Sequence, residues 1–424
     1  MAFRNRPGPE KQSGFDWWLT GICLSRAFSG LIAMTYAAAL PVLQKEWGMS
    51  AAAGGSVSSG YNIGYAISLV VLSSLADLVG PKVFFLGSMS GAAILSLAFG
   101  LFARNYVSAL VLYSLVGVSV GGTYATGLMI LADHYPAERR GMAIGFFIAS
   151  TSLGYALSLI VSGIALPLGG YKLSFLLTCL GPLAGAILAW ISLRKTHVSV
   201  ERRQKQQRFV KEVLGNRPAM LLISGYTFHT WELLGMWAWT PAFLASCLAF
   251  SGGETTKVMG WSSYISAFFH LTGLIASFSM GMLFDRIGRA RVIFMLSALS
   301  TLCSFVFGWS IGWPLIVVIG IGLIYGFSAL GDSPVLSAAL TEVVKTSYVG
   351  AAFGVRSLLG FCAGGLSPIV FGAVLDWTSP FAGGMHYKGW GWAYSVFGVG
   401  GLGAIAMAYF LGMAQPDRLR IIKR

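Results

Sequence analysis

Apolar residues run along this chain in twelve long blocks, each closed by a short polar break. A helix needs about 20 apolar residues to cross a bilayer, and its backbone groups must then pair within the segment. Every block meets that length. The blocks predict membrane helices at 17–43, 53–76, 83–103, 107–132, 140–166, 172–193, 219–248, 258–284, 291–310, 313–341, 347–375 and 389–414. Segment 1 lacks the small-residue cleavage site of a signal peptide and eleven more blocks follow it, so it reads as a retained helix.

Composition agrees with the pattern. Apolar residues make up 56% of the 424 positions and charged residues 10%, where a soluble protein carries about 25% charged. A net charge of +14 raises the question of nucleic acid, but its distribution argues against that partner. With both termini on one side, that side collects 22 Lys and Arg, against five on the other: Lys45, Arg104, Lys172, Lys257 and Lys388. The positive-inside rule then expects cytoplasmic termini in a plasma (inner) membrane, and the basic excess marks orientation and contact with anionic lipid. The five cysteines fall in five different blocks without CxxC spacing. They read as small buried hydrophobes, and neither a metal site nor a cofactor is expected.

The longest polar stretch, 194–218, carries eight Lys and Arg with Glu201 and Glu212. It reads as a linker with an amphipathic helix lying on the membrane. It separates a bundle at 17–193 from one at 219–414, with tails at 1–16 and 415–424. The halves repeat one another. Gly281-Met282-Leu283-Phe284-Asp285-Arg286-Ile287-Gly288-Arg289 closes segment 8, and a worn copy, Ser73-Ser74-Leu75-Ala76-Asp77-Leu78-Val79-Gly80-Pro81-Lys82, closes segment 2. Asp133, Gly141 and Gly145 recur as Glu342, Gly350 and Gly354, and Gly122 as Gly331. The GxxxG spacings at Gly117/Gly121 and Gly141/Gly145 predict close helix approach.

On these motifs and on Asp133-His134-Tyr135-Pro136-Ala137-Glu138-Arg139-Arg140-Gly141, the chain resembles the major facilitator superfamily over essentially its whole length. The resemblance implies an all-α membrane fold of two pseudo-symmetric six-helix bundles. It implies alternating access around a cavity lined by segments 1, 4, 7 and 10. It also implies a cytoplasmic gate built from Asp77, Gly80, Gly281, Asp285, Arg286, Gly288, Arg289 and Arg140. Physically, a carboxylate such as Asp285 is favourable at the start of segment 5.

Ionisable groups at membrane depth are costly and mark pathways. Arg26 in segment 1 offers a fork for a carboxylate. His229 and Glu232 lie one turn apart in segment 7, and Asp332 sits beside Pro334 in segment 10. The substrate-contact candidates are Arg26, Tyr61, Asn62, Tyr124, His229 and Trp239. Glu232, Asp332 and His229 are the proton-coupling candidates, with Arg356 as a charge partner for Glu232; His270 is a weaker candidate. A structural role, with charges tying helices together, stays open for each.

The function expected is secondary transport of a small organic anion or similar metabolite, coupled to protons or another ion and running as symport, by a monomer. A drug exporter is the alternative, although segment 5 lacks the Gly-Pro pair of proton-antiporting exporters. The sugar-porter and nitrate-carrier motifs are missing as well. A non-transporting receptor on the same scaffold is a third reading. No phosphate loop, nucleophile motif or paired zinc histidines point to an enzyme.

Overall fold

The computed structural model describes residues 16–198, 209–345, 348–379 and 388–414, without the side chains of 137, 138, 255, 256, 274, 277, 278 and 281–286. These residues form twelve long helices, and no strand occurs among them. In the first half, α1 is Trp17–Trp47, α2 Ala51–Val79, α3 Pro81–Phe102 and α4 Tyr106–His134. The stretch Ala137–Leu193 is split by the non-helical pair Gly169 and Gly170 into α5, 137–168, and α6, 171–193. In the second half, α7 is Arg217–Phe250, α8 Thr255–Ile287, α9 Arg289–Phe307, α10 Leu315–Val343, α11 Val349–Thr378 and α12 Lys388–Ala414.

The helices stop where the sequence supplies caps. Asp16, Ser50, Asn105 and Asn216 accept from the first free amides of α1, α2, α4 and α7. The two motif copies end alike. Gly80 and Gly288 turn the chain into α3 and α9 at φ 122° and 91°, where a side chain would be strained. That requirement explains why glycine holds the same place in both copies. In the linker, a π-helical turn at Val210–Leu214 buries Val213. The amphipathic helix expected there falls mainly on 199–208, outside the described residues.

The pairing of helices repeats across the halves. α4 packs on both α2 and α3, as α10 packs on both α8 and α9; α1 packs on α5–α6, as α7 packs on α11 and α12. The bundles meet along α2 against α11 and α5 against α8. Chain direction puts 16, 414 and the linker at one end, the linker face. The opposite end is the outer face.

Glycine permits the tightest of these contacts. A side chain at Gly117 or Gly121 on α4 would run into the backbone of Tyr61 or Tyr65 on α2. The approach expected of that spacing is therefore present. At Gly141 and Gly145 on α5 it is not seen among the described residues, where no atom beyond their own stretch of helix lies within 4 Å of where their side chains would begin. Adding a β-branched residue at Gly117 should separate α2 from α4. Gly117→Val is expected to lower the thermal midpoint of the purified protein by the equivalent of about 1–3 kcal/mol, whereas Gly145→Ala leaves it unchanged or raises it; differential scanning fluorimetry in detergent reads both.

Candidate substrate site

Two buried arginines, one from each bundle, define the site. Arg26 on α1 is only 4% exposed. It donates through Nε to Thr151 Oγ1 of α5 at 3.1 Å and through Nη1 to Thr123 Oγ1 of α4. Its guanidinium lies 5.7 Å from the ring centres of Tyr124 and Phe147, with Tyr65, Tyr155 and Tyr61 close enough to feel the charge. Arg356 on α11, also 4% exposed, donates to Ser337 Oγ of α10 at 2.6 Å. It stacks over Tyr226 at 4.1 Å and Phe353 at 4.4 Å, and its Nε is buried without an acceptor. Among the described residues no carboxylate lies within ion-pair distance of either arginine. Arg26 thus faces Tyr124 in the first bundle, and Arg356 faces Tyr226 in the second.

The expected pairing of Glu232 with Arg356 is absent. Glu232 on α7 turns into the second bundle and accepts from Ser304 at 2.7 Å and Ser300 at 3.2 Å, both on α9. Ser304 in turn shares a 2.6 Å hydrogen bond with Tyr325 of α10. His229 lies one turn away, with Nδ1 at 2.9 Å from Asp332 Oδ1 of α10. That contact has ion-pair distance, but its angles fall short of a hydrogen bond, so Asp332 Oδ1 counts as unpartnered. Glu232 and Asp332 thus rest on serine hydroxyls and a histidine, with neither at ion-pair distance from Arg26 or Arg356.

The other expected contacts divide. Tyr61 is buried and stacked on Tyr113 at 4.7 Å, and Asn62 is half-buried against Gly365 of α11. Tyr124 lines the arginine region. Trp239 does not: it is fully buried, donates to the Pro368 carbonyl of α11 at 3.0 Å and stacks on Phe371. It belongs to the aromatic core near the outer face. Spacing passed over Tyr155 and Trp237 and ranked His270 as a weaker candidate; their three rings meet edge-to-face or tilted at 5.1–5.8 Å, and Trp237 and His270 line a small pocket with Leu159 of α5.

The bundles touch toward the outer face. On α5, Gly163 lies under the ring of Tyr264 of α8. At Gly145, eighteen residues or about five turns earlier on the same face, a side chain would meet no atom of another helix within 4 Å among the described residues. On α11, Gly372 lies against the Ala51 backbone of α2, and Gly354, also eighteen residues earlier, has no such neighbour among the described residues. Asp376 seals the closed end. Its two carboxylate oxygens accept from the amides of Ala51 and Ala52 at 2.7 and 2.8 Å, so an α11 side chain caps α2 across the bundle boundary.

The sequence from residue 22 to 368 matches the family model described as Major Facilitator Superfamily. The chain belongs to the Major Facilitator Superfamily. It is 27% identical to a gallate transporter of Pseudomonas putida over 86% of each chain. To a hexuronate transporter of Bacillus subtilis it is 24% identical, over 83% of this chain and 86% of the relative. A solved bacterial homolog of the human lysosomal transporter Spinster, in an inward-facing and unoccupied conformation, superposes with a TM-score of 0.71 at 15% identity; the match covers 95% of this chain and 96% of that one.

The two motif copies, to which the resemblance assigns a gate, lie toward the linker face. The side chains of Asp285 and Arg286, and everything beyond the backbone at Gly281, fall outside the described residues. Arg289 ion-pairs with Glu342, tying α9 to α10 within one bundle. Arg140 is exposed and Asp77 half-buried.

Removing the Asp376 cap should loosen the outer closure. Asp376→Ala takes away two charge-assisted hydrogen bonds, each worth about 1.5–3 kcal/mol. With spin labels at Ser50 and Trp377 in a cysteine-free background, the distance distribution should gain a longer component that the unsubstituted chain lacks.

Proposed function

We propose that this superfamily member is a secondary active carrier of a small organic anion, working by alternating access and driven by protons. The observation that carries the reading is the pair Arg26 and Arg356, buried on opposite bundles with no carboxylate at ion-pair distance among the described residues. An uncompensated buried charge is costly by several kcal/mol, and an arriving anion relieves two such groups at once. Because the groups sit on different bundles, that relief depends on how the bundles are placed, and differential affinity of this kind couples cargo to conformation. Gallate and hexuronate, the cargoes in the relatives' names, are both organic anions. An exporter of cationic drugs would want acids in the cavity, and the acids here are engaged elsewhere.

Proton coupling falls to Glu232, Asp332 and His229. Both carboxylates are nearly fully buried, and His229 Nδ1 stands 2.9 Å from Asp332 Oδ1, within reach for a proton to pass. Symport follows if protonation here and anion binding at the arginines favour the same closure. The basic linker supports a plasma-membrane protein with both termini cytoplasmic, working as a monomer among anionic lipids.

Ligand-induced thermal stabilisation of the purified protein tests the anion site, since a bound ligand raises stability in proportion to the logarithm of its concentration over its dissociation constant. Carboxylates are expected to raise the midpoint, and Arg26→Ala and Arg356→Ala each to abolish that response. Responses to amines or neutral sugars that survive both substitutions would refute it. For coupling, Glu232→Gln in proteoliposomes should keep counterflow exchange yet lose uphill accumulation under a pH gradient. Accumulation unchanged from the wild type would remove Glu232 from the proton path.

A further inference from the structure

The buried cation of the second bundle and its histidine meet at one ring. Tyr226 of α7 is buried, and the Arg356 guanidinium of α11 stands 4.1 Å from its ring centre. The His229 ring, almost one turn along α7, packs against the same ring at 5.5 Å with a tilt of 43°. α10 holds both partners: Ser337 Oγ accepts from Arg356 at 2.6 Å, and Asp332 Oδ1 stands 2.9 Å from His229 Nδ1. Each of them leaves something unmet, since Arg356 Nε has no acceptor and Asp332 Oδ1 no donor. An anion at Arg356 would answer the first, and a proton on His229 Nδ1 the second. α11 makes room for the ring at Gly360, where a side chain would begin 2.8 Å from its edge. The other titratable neighbours are Glu232, one turn on and held by Ser300 and Ser304 of α9, and Tyr325 of α10, bonded to Ser304. His270 of α8 meets α7 two turns farther on, at Trp237. α12 faces this stretch of α7 with the uncharged Gly400, Gly403 and Met407, and Tyr65 of α2 reaches across as far as Phe361, beside Gly360.

We propose that Tyr226 is the positioning residue that couples cargo to proton: its ring serves one cation at a time, Arg356 when the carrier is empty and protonated His229 once an anion has drawn Arg356 away. An aromatic ring holds a desolvated cation through its quadrupole, and a second cation at the same ring meets the repulsion of the first. At roughly 10 Å and an effective dielectric of about 20, two unit charges oppose each other on the order of tenfold in an equilibrium. A carboxylate on Arg356 removes that opposition. His229 then takes one proton from water as the anion arrives and returns it as the anion leaves, and no covalent bond to the anion forms or breaks. Linkage makes the effect mutual, so the proton tightens the anion by the same factor. The coupling rests on the anion-carrier reading and deepens it, because it names the contact through which the two sites sense each other.

The test is isothermal titration of the purified full-length protein at about pH 5.5 and about pH 7.5, with benzoate and glucuronate as probes. Both keep an ionised carboxylate over this range, so any change of affinity belongs to the protein. The wild type is expected to bind about three- to tenfold more tightly at the lower pH, the direction of a proton taken up with the anion. His229→Gln should erase that ratio, and Tyr226→Leu should reduce it to less than about twofold. Tyr226→Phe keeps the ring and should keep the ratio. His229→Gln decides the matter if Tyr226→Leu fails to fold. A wild-type affinity that is equal at both pH values or tighter at the higher one overturns the coupling while the anion site stands. So does a ratio that survives His229→Gln or Tyr226→Leu, or one that is lost in Tyr226→Phe. Failure of both probes to bind, or binding undiminished in Arg356→Ala, overturns the anion-carrier reading itself.

Discussion

A guanidinium at membrane depth must be answered by a negative charge, and the arrangement of this chain follows from where those answers come from. Arg26 and Arg356 receive hydroxyls and aromatic faces from the protein, which solvate a cation without neutralising it. Three acids have other neighbours: Glu232 the two serines of α9, Asp332 the His229 ring at ion-pair distance, and Asp376 the first amides of α2. Among the described residues, each bundle thus keeps a buried cation apart from these acids. The selectivity proposed for the carrier is a property of this separation as a whole.

Holding Arg26 in place takes an irregular helix. α1 changes to a 3₁₀ turn at Gly30–Ile32, directly after the arginine's own turn. The carbonyls of Ile32 and Ala33 accept from the Tyr113 hydroxyl of α4, and the Met34 amide donates to Ser158 of α5. A break of this kind is tolerated in a membrane only because neighbouring helices satisfy the freed groups. It also brings Gly30 onto the backbone of Gly154, which sets Tyr155 beside the cavity. The same local departure from regular helix thus fixes the cation and the ring next to it, and little reorganisation is left for an incoming ligand.

The twelve helices and the two-fold repeat were legible in the chain because both are written in local patterns: apolar length, capping residues and a recurring glycine-ended turn. The burial of Arg26 was legible too, since a lone charge in an apolar block lies at membrane depth. The second bundle was harder. His229, Glu232 and Trp239 share one face of α7, and reading that face as the cavity wall chose the wrong tryptophan. Glu232 in fact points at α9 and Trp239 at α11, so the shared face looks into the bundle. Trp237 is rotated about 140° from Glu232 on the helix and meets the pocket instead. Periodicity assigns residues to a common face, but only the neighbouring helices say what that face looks at. For the same reason the glycines of α5 did not reveal that the helix would touch its partner at Gly163 and leave it by Gly145.

Those two glycines, with Gly372 and Gly354 on α11, also set a limit on how the bundles can move. Each pair is eighteen residues apart, so the sealed and parted ends are separated by about 27 Å of straight helix. A helix of that length swings as a lever, and sealing one end parts the other. The seal observed is a carboxylate on a helix N-terminus, Asp376 on α2. The superfamily resemblance expects the same device at the opposite face, where Asp285 would meet the start of α5. Each device uses the positive end of a helix dipole, which is worth about 0.3–2 kcal/mol to a nearby anion depending on burial. In the alternating access proposed for the carrier the lever denies both seals at once, so their contributions oppose each other and only their difference is left for the proposed anion at the two arginines to decide.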